Sequence, residues 1–343
     1  MTGRPTIADL AKAADVSVAT VDRVLNGRHR VREETARRVY DAAKSIGYHA
    51  IGLLRQRVFE DLPQYRLGFI LQKPNQSFYQ SMTKEIENAA LSMPGVRIIP
   101  QIDFNMSATP TALTERLKAV AARNQAVALV CPDYPAITAA VEGLKERGIP
   151  VFSLLSDFAA GVREGYVGLN NRTVGRTAAW MIAKAARKPG KVATFIGSHR
   201  FHGHELREIG FRSYFRENAP EFEVLDTLVN LDTAEITHEA TVNLLQRHPD
   251  LIGFYVCGGG MEGAITALAE EKMAGKLLVV VNELTPESRA ALAEDLVTMA
   301  ISTPAAHVAQ ELIGQMIAAI DRGVGGVPGQ TFLPFDIFTP ENI

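Results

Sequence analysis

Residues 6–26 read TIADLAKAADVSVATVDRVLN, and this segment decides more than any other part of the 343-residue chain. Ile7, Leu10, Ala11 and Ala14 recur at helical spacing. A break follows at Asp15-Val16-Ser17, and a second apolar helical face then runs through Val18, Val21, Val24 and Leu25. Thr6 with Asp9 has the form of a capping box in which Asp replaces the usual Glu. Ser17 is placed to cap the second helix by accepting a backbone N–H from its first turn. The pattern predicts either an ordinary helical hairpin or a helix-turn-helix, the unit that lays its second helix in the DNA major groove.

Charge favours the second reading. Residues 1–57 carry a net charge of +5, whereas the remaining 286 carry −7. A small basic head on an acidic body is an electrostatic footprint for nucleic acid, even though the whole chain is nearly neutral.

The run from Thr6 to Gly27, the later VREETARRV at residues 31–39 and the pair Gly47-Tyr48 resemble the DNA-binding head of the lactose-repressor (LacI/GalR) family. The resemblance covers Thr6 to Tyr48 almost continuously. It implies that Val18 and Ala19 read bases through apolar contact, and that Arg23, one turn later, can donate two hydrogen bonds to a guanine. It also implies that Ser17, Thr20 and Asn26 contact the phosphate backbone, which sets register without reading sequence. Thr6 and Arg30 join them as DNA-contact candidates. Two departures stand out: Asp22 occupies a position usually held by Ser, and Arg32 replaces the usual Ser cap of a third helix.

In this family a hinge after the Gly-Tyr pair pushes a leucine into the minor groove. The segment here is His49-Ala50-Ile51-Gly52-Leu53-Leu54-Arg55-Gln56-Arg57, without the family's proline and asparagine, and the wedge position falls on Arg57. Three possibilities stay open: Leu53 or Leu54 as the wedge, Arg57 in a narrow A·T groove, or a plain linker.

From residue 64 onward, apolar runs alternate with helical-period stretches. The runs fall at 67–71, 96–102, 126–131, 149–155, 192–196, 223–229, 252–257, 277–281 and 297–301. Such alternation predicts parallel sheets with helices on both faces. Continuous apolar runs suit strands buried on both sides, and nine or ten strands are better housed in two sheets than in one. The expected fold is a small all-α helix-turn-helix head plus an α/β body of two doubly wound parallel-sheet lobes. The resemblance implies the same body, like a type I periplasmic sugar-binding protein with a ligand cleft between the lobes.

The expected domains are a head at 1–48, a hinge at 49–63 and an effector-binding and dimerisation domain at 64–343. Lobe one is expected at about 64–168 and 303–326, and lobe two at about 169–302 and 327–343. The chain crossings then fall near 168–170, 302–304 and 326–328. Helix 305–320 returns to lobe one and 331–338 finishes in lobe two.

Ligands in such folds sit at the carboxyl ends of strands. After the first strand, the resemblance assigns Phe78 and Tyr79 to the sugar face; otherwise both are core residues of the next helix. Asp133 is placed either to accept hydroxyls or to cap a helix. Asn170 and the pair Asn282-Glu283 match ligand positions of the family. Arg207, in Arg-Glu-Ile-Gly-Phe, matches an R-x-x-G-F motif whose arginine reaches into the cleft as a fixed multi-donor clamp. Gly259 offers close backbone approach. Lys73, Arg200 and Arg207, with few acidic hydroxyl acceptors apparent, point to an anionic effector such as a sugar phosphate or sugar acid.

A rival exists in Gly258-x-Gly260-x-x-Gly263. It follows a strand, opens a helix and has Glu283 twenty residues beyond, the dinucleotide fingerprint of an NAD(H)-sensing redox regulator. His199, His202 and His204 lie close together, but no carboxylate or Cys completes a metal-ligand set. Cys131 and Cys257 lack metal spacing, and buried reduced thiols are expected. No G-x-S-x-G, H-E-x-x-H or G-x-x-x-x-G-K-S/T occurs, so no enzymatic activity is expected.

No apolar stretch reaches 18 residues and no apolar signal region precedes the head, so a cytoplasmic location without a membrane partner is expected. The sequence therefore predicts a DNA-binding transcription regulator, a repressor by the resemblance, acting as a homodimer or dimer-based oligomer on a pseudo-palindromic operator. Its partner metabolite is expected to be a small sugar-derived effector, with no cofactor.

Overall fold

The computed structural model describes residues 5–26, 31–54, 62–107 and 109–343. The chain divides into two compact units, residues 1–65 with 91–99, and residues 66–90 with 100–343.

The head is built from α1 (Ile7–Ala13), α2 (Val18–Asn26) and α3 (Glu33–Ser45). The Thr6–Asp9 capping box forms in full, with both the side-chain and backbone bonds in place. Asp15 closes the first helix at φ 51°, a left-handed turn that Asp tolerates better than most residues. Ser17 Oγ accepts the Thr20 N–H at 3.1 Å, the expected cap of α2. Arg32 makes no side-chain cap to α3, as its departure from Ser predicts. Leu10, Ala11, Ala14, Val21, Val24, Val39, Ala43 and Tyr48 form one buried cluster, so three short helices share a single core.

The body holds two sheets. In chain order the first-lobe elements are β1 (Gln64–Gln72), α4 (Ser77–Ser92), β2 (Arg97–Asn105), α5 (Pro110–Ala121), β3 (Ala126–Leu129), α6 (Pro135–Glu146), β4 (Val151–Leu154) and β5 (Gly165–Leu169). The second lobe follows with α7 (Asn171–Ala185), β6 (Lys191–Ile196), α8 (His202–Asn218), β7 (Glu223–Val224), β8 (Leu228–Val229), α9 (Ala234–Arg247), β9 (Leu251–Val256), α10 (Met261–Glu270), β10 (Leu278–Asn282), α11 (Pro286–Ala293) and β11 (Met299–Ser302). Then come α12 (Ala305–Arg322), β12 (Gly329–Leu333) and β13 (Asp336–Phe338).

Sheet order is β12-β5-β4-β3-β1-β2 in lobe one and β13-β11-β10-β9-β6-β7 in lobe two, where β8 also pairs with β6. The central strands β3, β4 and β9 are buried almost throughout, which is why they read as apolar runs rather than alternating ones. Two buried clusters, one holding Phe254, Val279 and Leu292 and the other Phe211, Phe215 and Tyr255, lie in lobe two.

Several details differ from expectation. The third crossing is not at 326–328: β12 joins lobe one, parallel to β5, and only β13 reaches lobe two, antiparallel to β11. Side chains hold β12 there. Arg163 Nη1 donates to Gly329 O at 2.7 Å, and Gln330 Nε2 donates to Asp157 Oδ2 at 2.9 Å. Residues 329–333 thus belong to lobe one. Strand β5 was not expected because two glycines dilute its apolar run. The run 223–229 is two short strands rather than one, and α8 starts at His202, within the histidine group. Among the described residues no helix is long and apolar enough to cross a membrane.

Candidate functional site

On α2 the buried Val21 and Val24 turn one face inward, and the opposite face exposes Val18, Ala19, Asp22, Arg23 and Asn26. These positions, spaced 0, 1, 4, 5 and 8, form one stripe of the helix. Val18 is 46% exposed, so its methyl groups are open to contact. Asp22 lies on this stripe and accepts a hydrogen bond from Asn26 Nδ2 at 2.7 Å. Thr6 and Ser17 are exposed, and Thr20 is partly so.

Ile51–Leu54 form a helical turn closed by the Leu54 N–H on Ala50 O. Leu54 is fully buried in the head core, which corrects its candidacy as a wedge; packing with Leu10 and Val21 claims it. Leu53 is 44% exposed. Arg30 and Arg57 lie outside the described residues.

In the body, the carboxyl ends of β1, β3, β6, β9 and β10 converge on a cavity of about 450 Å³. Of the expected effector residues, Lys73, Phe78, Tyr79, Arg207, Gly259, Asn282 and Glu283 line it. Asp133 and Asn170 do not. Asp133 accepts the Ala159 N–H, and Asn170 caps α7 through the Thr173 N–H. The arginine Arg200 is exposed, with its guanidinium 5.5 Å from the Tyr134 ring centroid.

Arg207 is rigidly held. It is 8% exposed, and it donates from Nε to Asn171 Oδ1 at 2.7 Å and from Nη1 to Cys257 O at 2.5 Å. Two glycines set the spacing of its helix: a Cβ on Gly175 would lie 1.8 Å from Arg207 O, and one on Gly210 2.2 Å from Arg172 O. Glu283 accepts from Thr303 N at 2.6 Å, Thr303 Oγ1 at 2.7 Å and Ser302 Oγ at 3.3 Å. Burial raises its pKa above the ordinary carboxylate value, against the lowering effect of Arg207 and these donors. Asn282 accepts from Tyr255 Oη and donates to Ile301 O, so both ends of its amide are committed within the protein. Phe78 and Tyr79 meet edge to face with centroids 5.2 Å apart. Burial, then the nearby Asp232 and Glu283 carboxylates, raise the Tyr79 hydroxyl above its usual pKa.

Two residues that sequence reading did not single out, Asp232 and Glu262, also line the cavity, together with His204 of the histidine group. Asp232 Oδ1 accepts the Gly259 N–H at 2.9 Å. A Cβ on Gly197, Gly258 or Gly259 would fall 2.1–2.9 Å from atoms of this aspartate, so the glycines make room for it. Burial lowers the pKa of His204 and raises that of Glu262. The only available signal was that Asp232 stands next to a strand end, a position shared by many helix caps. The supposed scarcity of acidic acceptors is thereby corrected: Asp232, Glu262 and Glu283 all face the cleft.

The glycine fingerprint also has a different use. The Gly259 N–H that would cradle a pyrophosphate is already bonded to a carboxylate, an anion in the anion's place. A Cβ on Gly263 would lie 1.8 Å from Ala234 O, so that glycine serves the packing of α10 on α9.

A helix-turn-helix head on a two-lobed, cleft-bearing α/β body defines a regulatory protein of the binding-protein type. Residues 6–50 match the family described as bacterial regulatory proteins, lacI family, and residues 67–323 match the periplasmic binding protein domain. The chain belongs to the lacI family of bacterial regulatory proteins, with a periplasmic-binding-protein body. It is 27% identical over 276 residues to an uncharacterised HTH-type transcriptional regulator of the aml 5′ region of Streptomyces limosus, covering 78% of this chain and 74% of that one. It is 24% identical over 271 residues to the HTH-type transcriptional regulator GntR of Pseudomonas aeruginosa, covering 77% and 74%. Its fold matches an ABC transporter periplasmic solute binding protein from Actinobacillus succinogenes with bound D-allose, at TM-score 0.72 and 21% identity over 82% of this chain and 98% of that one.

Proposed function

We propose that this protein is a sequence-specific DNA-binding repressor whose operator affinity is set by a small neutral carbohydrate. The observation that carries the DNA half is the exposed stripe Val18, Ala19, Arg23 on a capped, core-anchored helix, with the one long cation able to bond guanine twice. Two such heads in a homodimer would read the half-sites of a pseudo-palindromic operator. Repression is the sense that the family resemblance implies.

For the effector, the cleft combines paired aromatic rings, three carboxylates and the fixed Arg207. Rings cover the C–H face of a sugar, and carboxylates accept its hydroxyls. Three acids beside two cations, both already bonded to backbone carbonyls, favour a neutral polyol over a sugar phosphate or acid. The sugar bound by the Actinobacillus protein supports the same chemistry by analogy of fold.

The test selects operator fragments from random duplex DNA with the full-length protein. Release of the selected site is then scored with neutral pentoses and hexoses, glucose 6-phosphate, gluconate and NADH. Selection of a palindromic site and its release by a neutral sugar is the expected result. Absence of any selected site defeats the DNA half, and release only by the anions or NADH defeats the effector half. Arg207→Ala should abolish release while leaving operator selection unchanged.

A further inference from the structure

Three residues with left-handed backbones meet at one point of the cleft mouth. Lys73 has φ 32°, and Leu231 and Asp232 have φ 52° and 53°. None is glycine, and such conformations persist where surrounding contacts over-determine them. Lys73 closes the turn after β1 in lobe one, while Leu231 and Asp232 follow β8 in lobe two. The two successive left-handed residues present both carbonyls to a single ammonium: Lys73 Nζ donates to Leu231 O at 2.7 Å and to Asp232 O at 2.7 Å. Gln76 Nε2, from the same lobe-one turn, donates to Asp232 O at 3.0 Å. Ser77 Oγ, 3.4 Å from Glu287 Oε2, adds a longer contact between the lobes.

The sequence suggests Lys73 as a cation for the effector, but its donors are turned to the opposite lobe. We propose that Lys73 and Gln76 form an inter-lobe clamp, which holds the cleft closed through protein groups alone and so sets how far open the body stands before any effector acts. The inference concerns the regulation of the cleft read above as an effector site.

Nearby charge supports the clamp. Burial lowers the pKa of the half-buried Lys73, and the Asp232, Glu262 and Glu235 carboxylates oppose that by favouring its charged form. Hydrogen bonds from a charged donor are stronger than neutral ones. The acceptors are backbone carbonyls, which no substitution at 231 or 232 removes, so the contact depends on the lobe-one side chains. Asp232 itself is braced on the far side by the Gly259 N–H, and Asn230 Oδ1 accepts the Asp232 N–H at 3.0 Å. The lobe-two half of the clamp is therefore preformed.

The experiment uses full-length protein carrying Lys118→Cys on α5 and Glu239→Cys on α9, both exposed and one in each lobe. Cys131 and Cys257 are fully buried, so a donor and acceptor dye pair goes to the new thiols. Labelled protein is mixed with excess unlabelled protein, and single-molecule energy transfer is read without sugar or DNA. The wild-type background should give mainly one high-transfer population. Lys73→Met should raise the low-transfer fraction by about tenfold or more, Gln76→Ala should shift it less in the same direction, and Lys73→Arg should stay near wild type. Distributions unchanged by both Lys73→Met and Gln76→Ala, or a wild type as open as Lys73→Met, overturn the clamp. Because neither ligand enters the measurement, a failed operator or sugar screen leaves this result standing, and the reverse also holds.

Discussion

Arg23 stands on the exposed stripe of α2 and makes no side-chain hydrogen bond or ion pair among the described residues, and a guanidinium so placed is available to a base edge. Arg23→Ala should cost about 1–3 kcal/mol and relax discrimination at one operator base pair. Binding competition across single-base operator variants checks this, and a uniform loss over all variants would mean that Arg23 touches phosphate only. In the cleft, His204 Nδ1 is buried with no hydrogen-bond partner among the described residues, and burial holds the imidazole below its ordinary pKa of 6.5. Such a group favours folding while neutral, and that share of stability is lost as pH falls through 6.5 toward the folded value. His204→Gln should therefore flatten the acid side of the melting-temperature profile relative to wild type. Parallel profiles from about pH 8 to about pH 5 would show that the residue does not titrate between the two states. Glu283 acts with the opposite sign, its raised pKa reducing stability as pH rises. The Arg207 motif, the aromatic pair and Asn282-Glu283 were legible through the family resemblance, which assigns ligand positions to them. Asp133 and Asn170 follow strand ends yet do not line the cavity, since direction at a strand end depends on turn geometry that no local pattern states.

Among the elements, α7 and α8 pack unusually closely because Gly175 and Gly210 each leave room for the other helix's backbone. A methyl at Gly175 has backbone, not a flexible side chain, in its way, so one helix must move. Gly175→Ala should lower stability by about 1–3 kcal/mol, the usual scale of overpacking. It should also displace Arg207, which follows on α8. A melting curve within a degree of wild type would refute the close packing. The elements with clear apolar periodicity, β1, β3, β6, β9 and β10, stood out in sequence because both their faces are buried. Strand β12 did not, since Gly-Gln-Thr-Phe-Leu lies at a sheet edge and is mostly exposed, leaving no apolar run to read.

For the whole molecule, the head and body are linked in one prediction. If a sugar lowers operator affinity by some factor, the operator must lower sugar affinity by the same factor, typically worth 1–3 kcal/mol. Calorimetric titration of sugar into free protein and into the protein–operator complex measures both arms. Equal sugar affinities, alongside release of DNA by that sugar, would mean that release comes from something other than linkage. The clamp enters here as well, because a cleft already biased toward closure changes how much of the sugar's binding energy is available to move the equilibrium.

By itself the sequence determined the helix-turn-helix, its caps, the basic head on an acidic body and the alternation that builds two parallel sheets. All of these rest on residues near one another in the chain, where spacing and charge act directly. Only the tertiary structure decided that Leu54 is core, that β12 stays in lobe one, that Asp232 sits in a glycine cradle and that Lys73 reaches across to the other lobe. Each of these depends on partners that are remote in sequence, such as Leu10 for Leu54 and Asp232 for Lys73. Long-range packing and hydrogen-bond partners are chosen by the closed geometry of the fold, and a linear pattern carries no record of them.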